Sequence, residues 1–181
     1  MIRKAVKALF RMFRAKEKDI DALVSLRLEM LREVNSLPPD HKFDESFIGG
    51  IREYFLKGDQ STYLVEDGEI VGCASICYFS LMPTYDHPAG KRAQIMNVYV
   101  KEPFRKMGYG TTLMNLLIDE AKNRGVTEIR LDSTESGRKL YKAAGFRQTE
   151  EGMVLDINAL LRRNIERAER LGCKPHSCDC K

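Results

Sequence analysis

Between Val98 and Leu117 the chain reads VYVKEPFRKMGYGTTLMNLL: an apolar β-type run, a turn holding Pro103, and a helical pattern that opens at Gly108 and Gly110. A strand ending at Val100 and a helix beginning near Gly108 must put the helix start close to the strand's end. The first amides of a helix lack intrahelical acceptors and sit at the positive end of its dipole, so they form an anion site. Gly108 and Gly110 have no Cβ, which lets an anion approach the backbone and permits unusual dihedrals. Arg105 and Lys106 add charge, and Thr111 adds a hydroxyl donor. Arg105 through Thr111 therefore predict a cradle for phosphate or pyrophosphate. A Walker loop needs four residues between its glycines and a Lys-Ser/Thr after them, and a dinucleotide fingerprint needs a third glycine where Leu113 stands. Neither fits. A glycine-rich helix start with surface charges would account for Gly-x-Gly taken alone.

The rest of the chain sets this unit in a mixed sheet. MFRA (Met12–Ala15) reads as a short strand, and Ile20, Leu23, Val24, Leu28 and Leu31 then recur at helical spacing. Asp19 and Asp21 suit the positive end of that helix. A second helix carries Phe47, Ile48, Ile51 and Phe55 on one side, with Gly49 and Gly50 weakening it. Asp67-Gly68 stands between two β-type runs, a hairpin signal. RAQIMNVYV is a further strand, and Gly125 stops the helix that follows it. VTEIRLDS predicts a strand, SGRKLYKAAGF a short helix ending at Gly145, and FRQTEEGMVLDI two short strands around a Glu-Gly turn. The order is β-α-α-β-β-β-α-β-α-β-β plus a C-terminal amphipathic helix, which predicts a mixed, largely antiparallel α/β sheet with helices on both faces.

At 181 residues the chain is long enough for one well-packed domain. No apolar run approaches the ~20 residues of a membrane span, and the basic start is broken by charges with no small-residue cleavage site after it, so neither membrane nor secretion is expected. Residues 1–18 carry seven Lys/Arg against Glu17, and residues 162–181 carry six against three acids. With a total of +4, the body between them is −5, which argues against a nucleic-acid platform. Cys73 and Cys77 lie in an apolar run where buried, reduced thiols are expected, so the cytoplasm is the predicted location. Cys173, His176, Cys178 and Cys180 could bind Zn²⁺, but their spacing matches no standard site, and no metal is expected.

The full pattern Arg105-x-x-Gly108-x-Gly110, between an apolar strand and an amphipathic helix, resembles the acetyl-coenzyme A signature of the GNAT N-acetyltransferase superfamily. The Leu140-Tyr141 pair and Gly145-Phe146 are similar to a second motif of that family at about the family's separation, and the resemblance spans roughly Met12 to Ile157. It implies that two central strands splay apart to receive acetyl-CoA. It assigns Val98, Tyr99 and Val100 to backbone contacts with pantetheine and acetyl, and Arg105, Lys106, Met107, Gly108, Tyr109, Gly110 and Thr111 to the pyrophosphate. The Val98 amide would polarise the acetyl carbonyl. Tyr141 would approach the sulfur and act as general acid.

The general base is not assigned by the resemblance. Gln94 stands where some relatives have an acid, and glutamine cannot accept the proton. Asn97 is a candidate to orient a water or the amine; a water chain or Glu135 is the candidate base. Asp40, Asp44, Asp86 and Tyr85 are the candidate acceptor walls, while His41 and His87 read as surface histidines. The implied domain is 12–157, with a basic extension at 1–11 and a helix and tail at 158–181. The implied activity is acetyl transfer from acetyl-CoA to an amine, with a homodimer left open. The rivals are a catalytically silent acyl-CoA-binding module and a ribosome- or nucleic-acid-associated protein that uses the basic ends.

Overall fold

A computed structural model describes residues 10–149 and 155–170. They fall into two compact units divided between Phe146 and Arg147. The first holds β1 (Arg11–Arg14), α1 (Ile20–Val34), α2 (Glu45–Lys57), β2 (Gln60–Asp67), β3 (Glu69–Ser80), β4 (Lys91–Val100), α3 (Tyr109–Asn123), β5 (Glu128–Leu131) and α4 (Arg138–Ala143). The strands lie in chain order. The first four pair antiparallel, and β5 joins β4 in parallel after the α3 crossover. This is the mixed α/β architecture expected, with the β2–β3 hairpin turning at Gly68, whose φ of +77° only glycine adopts freely.

Two clusters fill the faces of the sheet. Leu64 and Cys73 pack against Leu23 and Leu26 of α1. Their neighbours Val65 and Ala74, with Ile76, Ala93 and Ile95, pack against Leu113, Met114 and Leu117 of α3. Because helices cover both faces, β3 is buried without interruption from Val71 to Ile76 instead of alternating. At roughly 25 cal/mol per Å² of apolar surface, each fully buried leucine contributes about 2 kcal/mol, which fixes α3 and hence its first turn against β4.

One expectation fails at the end of this unit. Residues 146–149 form no strand. Gly145 takes φ +95° at the end of α4, and the Phe146 amide donates back to the Tyr141 carbonyl at 2.9 Å, which closes the helix at this point. The rest of that run, 150–154, lies outside the described residues, as do residues 1–9 and the Cys173, His176, Cys178, Cys180 tail. The second unit is described by α5 (Ile157–Arg170), where Asp156 Oδ1 accepts from the Ala159 amide at 2.9 Å and caps the helix start. Among the described residues no helix is long and apolar enough to cross a membrane, and no group of three or more His, Cys, Asp or Glu side chains is placed to hold a metal.

Candidate active site

β4 and β5 pair only from Arg92 opposite Glu128 to Ile95 opposite Leu131. β5 then ends, while β4 runs on to Val100 with no strand on that side among the described residues. On its other side β4 changes register: Tyr99 faces Cys73, but Met96 faces Ser75, so Asn97 and Val98 share Ala74. This is a β-bulge, and Asn97 takes φ +53°, a left-handed conformation that asparagine tolerates better than most residues. Asn97 is only 7% exposed. Its Nδ2 donates to Cys73 Sγ at 3.3 Å and the thiol donates to the Asn97 carbonyl at 3.4 Å, while Oδ1 is buried with no partner among the described residues. Burial pushes the Cys73 thiol up to about 12, so it stays protonated and can make that donation. The bulge leaves Val98 on the α3 side with Ile95 and turns Asn97 toward α1.

The turn after β4 carries the cradle. Lys106 and Gly108 both have positive φ, +63° and +88°. Among the described residues the amides of Lys106 through Thr111 meet no backbone acceptor. The first helical bond is Thr112 to the Gly108 carbonyl at 3.1 Å. A Cβ at Gly108 would meet nothing within 4 Å, so its glycine serves the dihedral. A Cβ at Gly110 would lie 3.2 Å from Leu140 Cδ2, so that glycine instead lets α4 pack close to the helix start.

Two side chains assigned to the pyrophosphate point elsewhere. Arg105 Nε donates to the Val100 carbonyl at 2.8 Å and its other nitrogen pairs with Glu33 of α1 at 2.6 Å. The hydrogen bond to Glu33 raises the guanidinium's pKa further. Tyr109 is buried, with its ring 5.0 Å from Phe10 and its hydroxyl donating to Asp67 at 2.6 Å, so only its backbone faces the cradle. Both follow from chemistry that the motif does not encode: a carboxylate on α1 and a hairpin acid lie within reach.

Tyr141 stands on α4, partly buried, its ring edge-on to Phe146 at 6.2 Å. A Cβ at Gly137 would lie 2.7 Å from that ring, so a bare residue there makes room for the tyrosine. Burial raises the phenol's pKa, which keeps it a proton donor at neutral pH. Gln94 Nε2 donates to Asp132 Oδ2 at 3.0 Å. Asp132 carries no motif, but an acid directly after a strand at the open end of a parallel pair is a recognisable position. Glu135, Asp40, Asp44, Asp86 and Tyr85 are exposed. His87 is held more firmly than a surface histidine, between Thr127 Oγ1 at 3.0 Å and Glu128 at 3.1 Å.

Two strands that part beside an amide-lined helix start make the architecture of an acyl-coenzyme A-dependent transferase. The acetyltransferase (GNAT) family model matches residues 21–146. The chain is 27% identical over 134 residues to a glucosamine 6-phosphate N-acetyltransferase of Trypanosoma brucei brucei, an alignment covering 74% of this chain and 89% of that one. A predicted acetyltransferase of Clostridium acetobutylicum, solved with acetyl-CoA, superposes with TM-score 0.73 at 27% identity, over 83% of this chain and 98% of its own. A GCN5-related N-acetyltransferase of Ralstonia eutropha shares the fold, with TM-score 0.65 at 23% identity over 82% and 99%. The chain belongs to the acetyltransferase (GNAT) family, and with it to the acetyl-CoA-dependent N-acetyltransferases.

Proposed function

We propose that the free edge of β4 and the amides of Lys106 through Thr111 together hold acetyl-CoA, and that the acetyl group passes directly to a primary amine from the α1 side of the sheet. The observation that carries this reading is that a bare strand edge from Met96 and a bare set of amides from Lys106 are joined by one short turn. The backbone of Val98, Tyr99 and Val100 pairs with the pantetheine arm, and the amides after Arg105 take the pyrophosphate. Arg105 itself braces the turn through Glu33 and the Val100 carbonyl.

In the transfer, the amine nitrogen bonds to the thioester carbonyl carbon and the carbon–sulfur bond breaks. The Val98 amide stabilises the carbonyl oxygen as it gains charge. Sulfur leaves with the proton of Tyr141, and the nitrogen gives up its proton to Asp132, which the Gln94 amide holds in place. The products are an N-acetyl amide and free coenzyme A, and solvent restores both side chains. The T. brucei relative acts on glucosamine 6-phosphate, which makes an amino-sugar phosphate the first acceptor to test. A cytoplasmic location, in keeping with the buried reduced thiol of Cys73, completes the reading.

The test is coenzyme A release from acetyl-CoA over a panel of amines, with wild type and Tyr141→Phe. Tyr141→Phe is expected to lower turnover about 10²-fold or more while acetyl-CoA affinity, read by calorimetry, stays unchanged. Since the phenol acts protonated and its pKa is raised, the tyrosine-dependent fall in wild-type turnover should come at alkaline pH, a limb the variant lacks. Unchanged turnover removes the acid role. No heat with acetyl-CoA overturns the whole reading.

A further inference from the structure

The α1 face of the sheet carries a cation, Arg27, that no carboxylate among the described residues neutralises. Arg14, Arg92, Arg105 and Arg124 each pair with a carboxylate, at 3.4, 3.2, 2.6 and 2.8 Å, and Arg32 of α1 spends its donors on the His41 carbonyl. Arg27 pairs with none among the described residues. It follows Leu26 and lies one turn beyond Leu23, the two α1 leucines packed on Cys73, so its half-buried side chain is directed along the same face. The thiols of Cys73 and Cys77 lie near it, both kept protonated by burial, and Glu29 of the same helix also acts on Cys73; desolvation lowers the guanidinium's own pKa. Neutral thiols do not compensate a guanidinium. A partly desolvated, unpaired charge is costly to keep, and a planar fork of donors suits an incoming phosphate or carboxylate.

Its position ties it to the transfer site. Cys73 is the partner of Asn97 at the bulge, and Cys77 lies opposite Gln94, which holds Asp132. Arg27 therefore stands across two β3 thiols from the part of β4 where the amine is to be acetylated. We infer that Arg27 is a specificity-determining residue that binds an anionic group, phosphate or carboxylate, carried by the acceptor amine. This deepens the acetyltransferase reading above and rests on it. Asp40, Asp44 and Asp86, the candidate acceptor walls, are exposed at loop positions.

The experiment compares matched amines: glucosamine 6-phosphate against glucosamine for phosphate, and 4-aminobutyrate against 4-aminobutanamide for carboxylate. Coenzyme A release is measured for wild type, Arg27→Gln and Arg27→Lys, and the same amines are titrated calorimetrically into each protein saturated with coenzyme A. Wild type should favour the anionic member of one pair by about 10- to 100-fold, in KM more than kcat. Arg27→Gln should erase that preference without changing the KM of the neutral amine or the affinity for acetyl-CoA, and Arg27→Lys should keep part of it. Whichever pair responds names the anion. Equal KM and equal binding within both pairs overturn the inference, as does a preference that survives Arg27→Gln. If Arg27→Gln does not fold, judged by its thermal melt, the wild-type pairs and Arg27→Lys still decide. If none of these amines elicits coenzyme A release, the transfer reading falls on its own, because the titration needs no turnover and still reads the anion preference.

Discussion

Gly108→Ala isolates what the cradle asks of its backbone. Gly108 sits at φ +88°, and the space where a methyl group would go is open to 4 Å, so the substitution introduces no clash. Its cost is the left-handed conformation alone, about 1–2 kcal/mol for a residue with a Cβ. That cost can fall in two places. If the turn keeps its shape, the folded state loses the full amount, and for a chain of this size Tm drops by about 2–8 °C. If the turn relaxes, stability is spared but the amides must be realigned when the diphosphate binds, and the acetyl-CoA Kd rises about 5- to 30-fold. The two losses together should account for about 1–2 kcal/mol, measured by a thermal melt and by calorimetric titration of the same preparation. Gly108→Asn should lose less, since asparagine tolerates this conformation. Gly110→Ala is the control: its methyl meets only the Leu140 side chain at 3.2 Å, which can turn aside. A Gly108→Ala protein that neither melts earlier nor binds acetyl-CoA more weakly would refute the account of this turn.

Three other outcomes follow from particular contacts. Asn97→Ala removes both the side chain that tolerates φ +53° and the Nδ2 donation to Cys73, so it should lose about 1–2 kcal/mol and turnover with it. Asn97→Gly keeps the dihedral and should retain more turnover, and equal turnover in the two variants would detach the bulge from catalysis. Asp132→Asn keeps a partner for Gln94 but cannot take a proton, so kcat should fall roughly 10²-fold with acetyl-CoA affinity intact; wild-type kcat would assign the base elsewhere. Leu117→Ala empties a fully buried position under the sheet and should cost about 2–5 kcal/mol in denaturant unfolding, with a smaller loss meaning that α3 can settle into the gap.

Local chemistry made much of this protein legible before any coordinates. Glycines at 68, 108, 125 and 145 each take positive φ where the reading placed a turn, a helix start or a helix stop, because the need for glycine is set by a few neighbouring residues. The apolar spacing gave α1 and α3 for the same reason. The span from Val98 to Gly110 carried the family resemblance because strand edge, turn and helix start are contiguous in the chain.

Contacts between residues far apart in sequence had to await the fold. The register slip that makes Asn97 a bulge depends on β3, twenty or more positions earlier, and the free edge of β4 depends on where β5 happens to stop. Asp132 beside Gln94, Glu33 on Arg105 and Asp67 on Tyr109 are pairs that only packing creates. That Arg27 meets no carboxylate among the described residues is likewise a property of its neighbours. A motif specifies what its own backbone can do, but where a long side chain ends up is decided by whatever opposite charge the tertiary structure brings within reach.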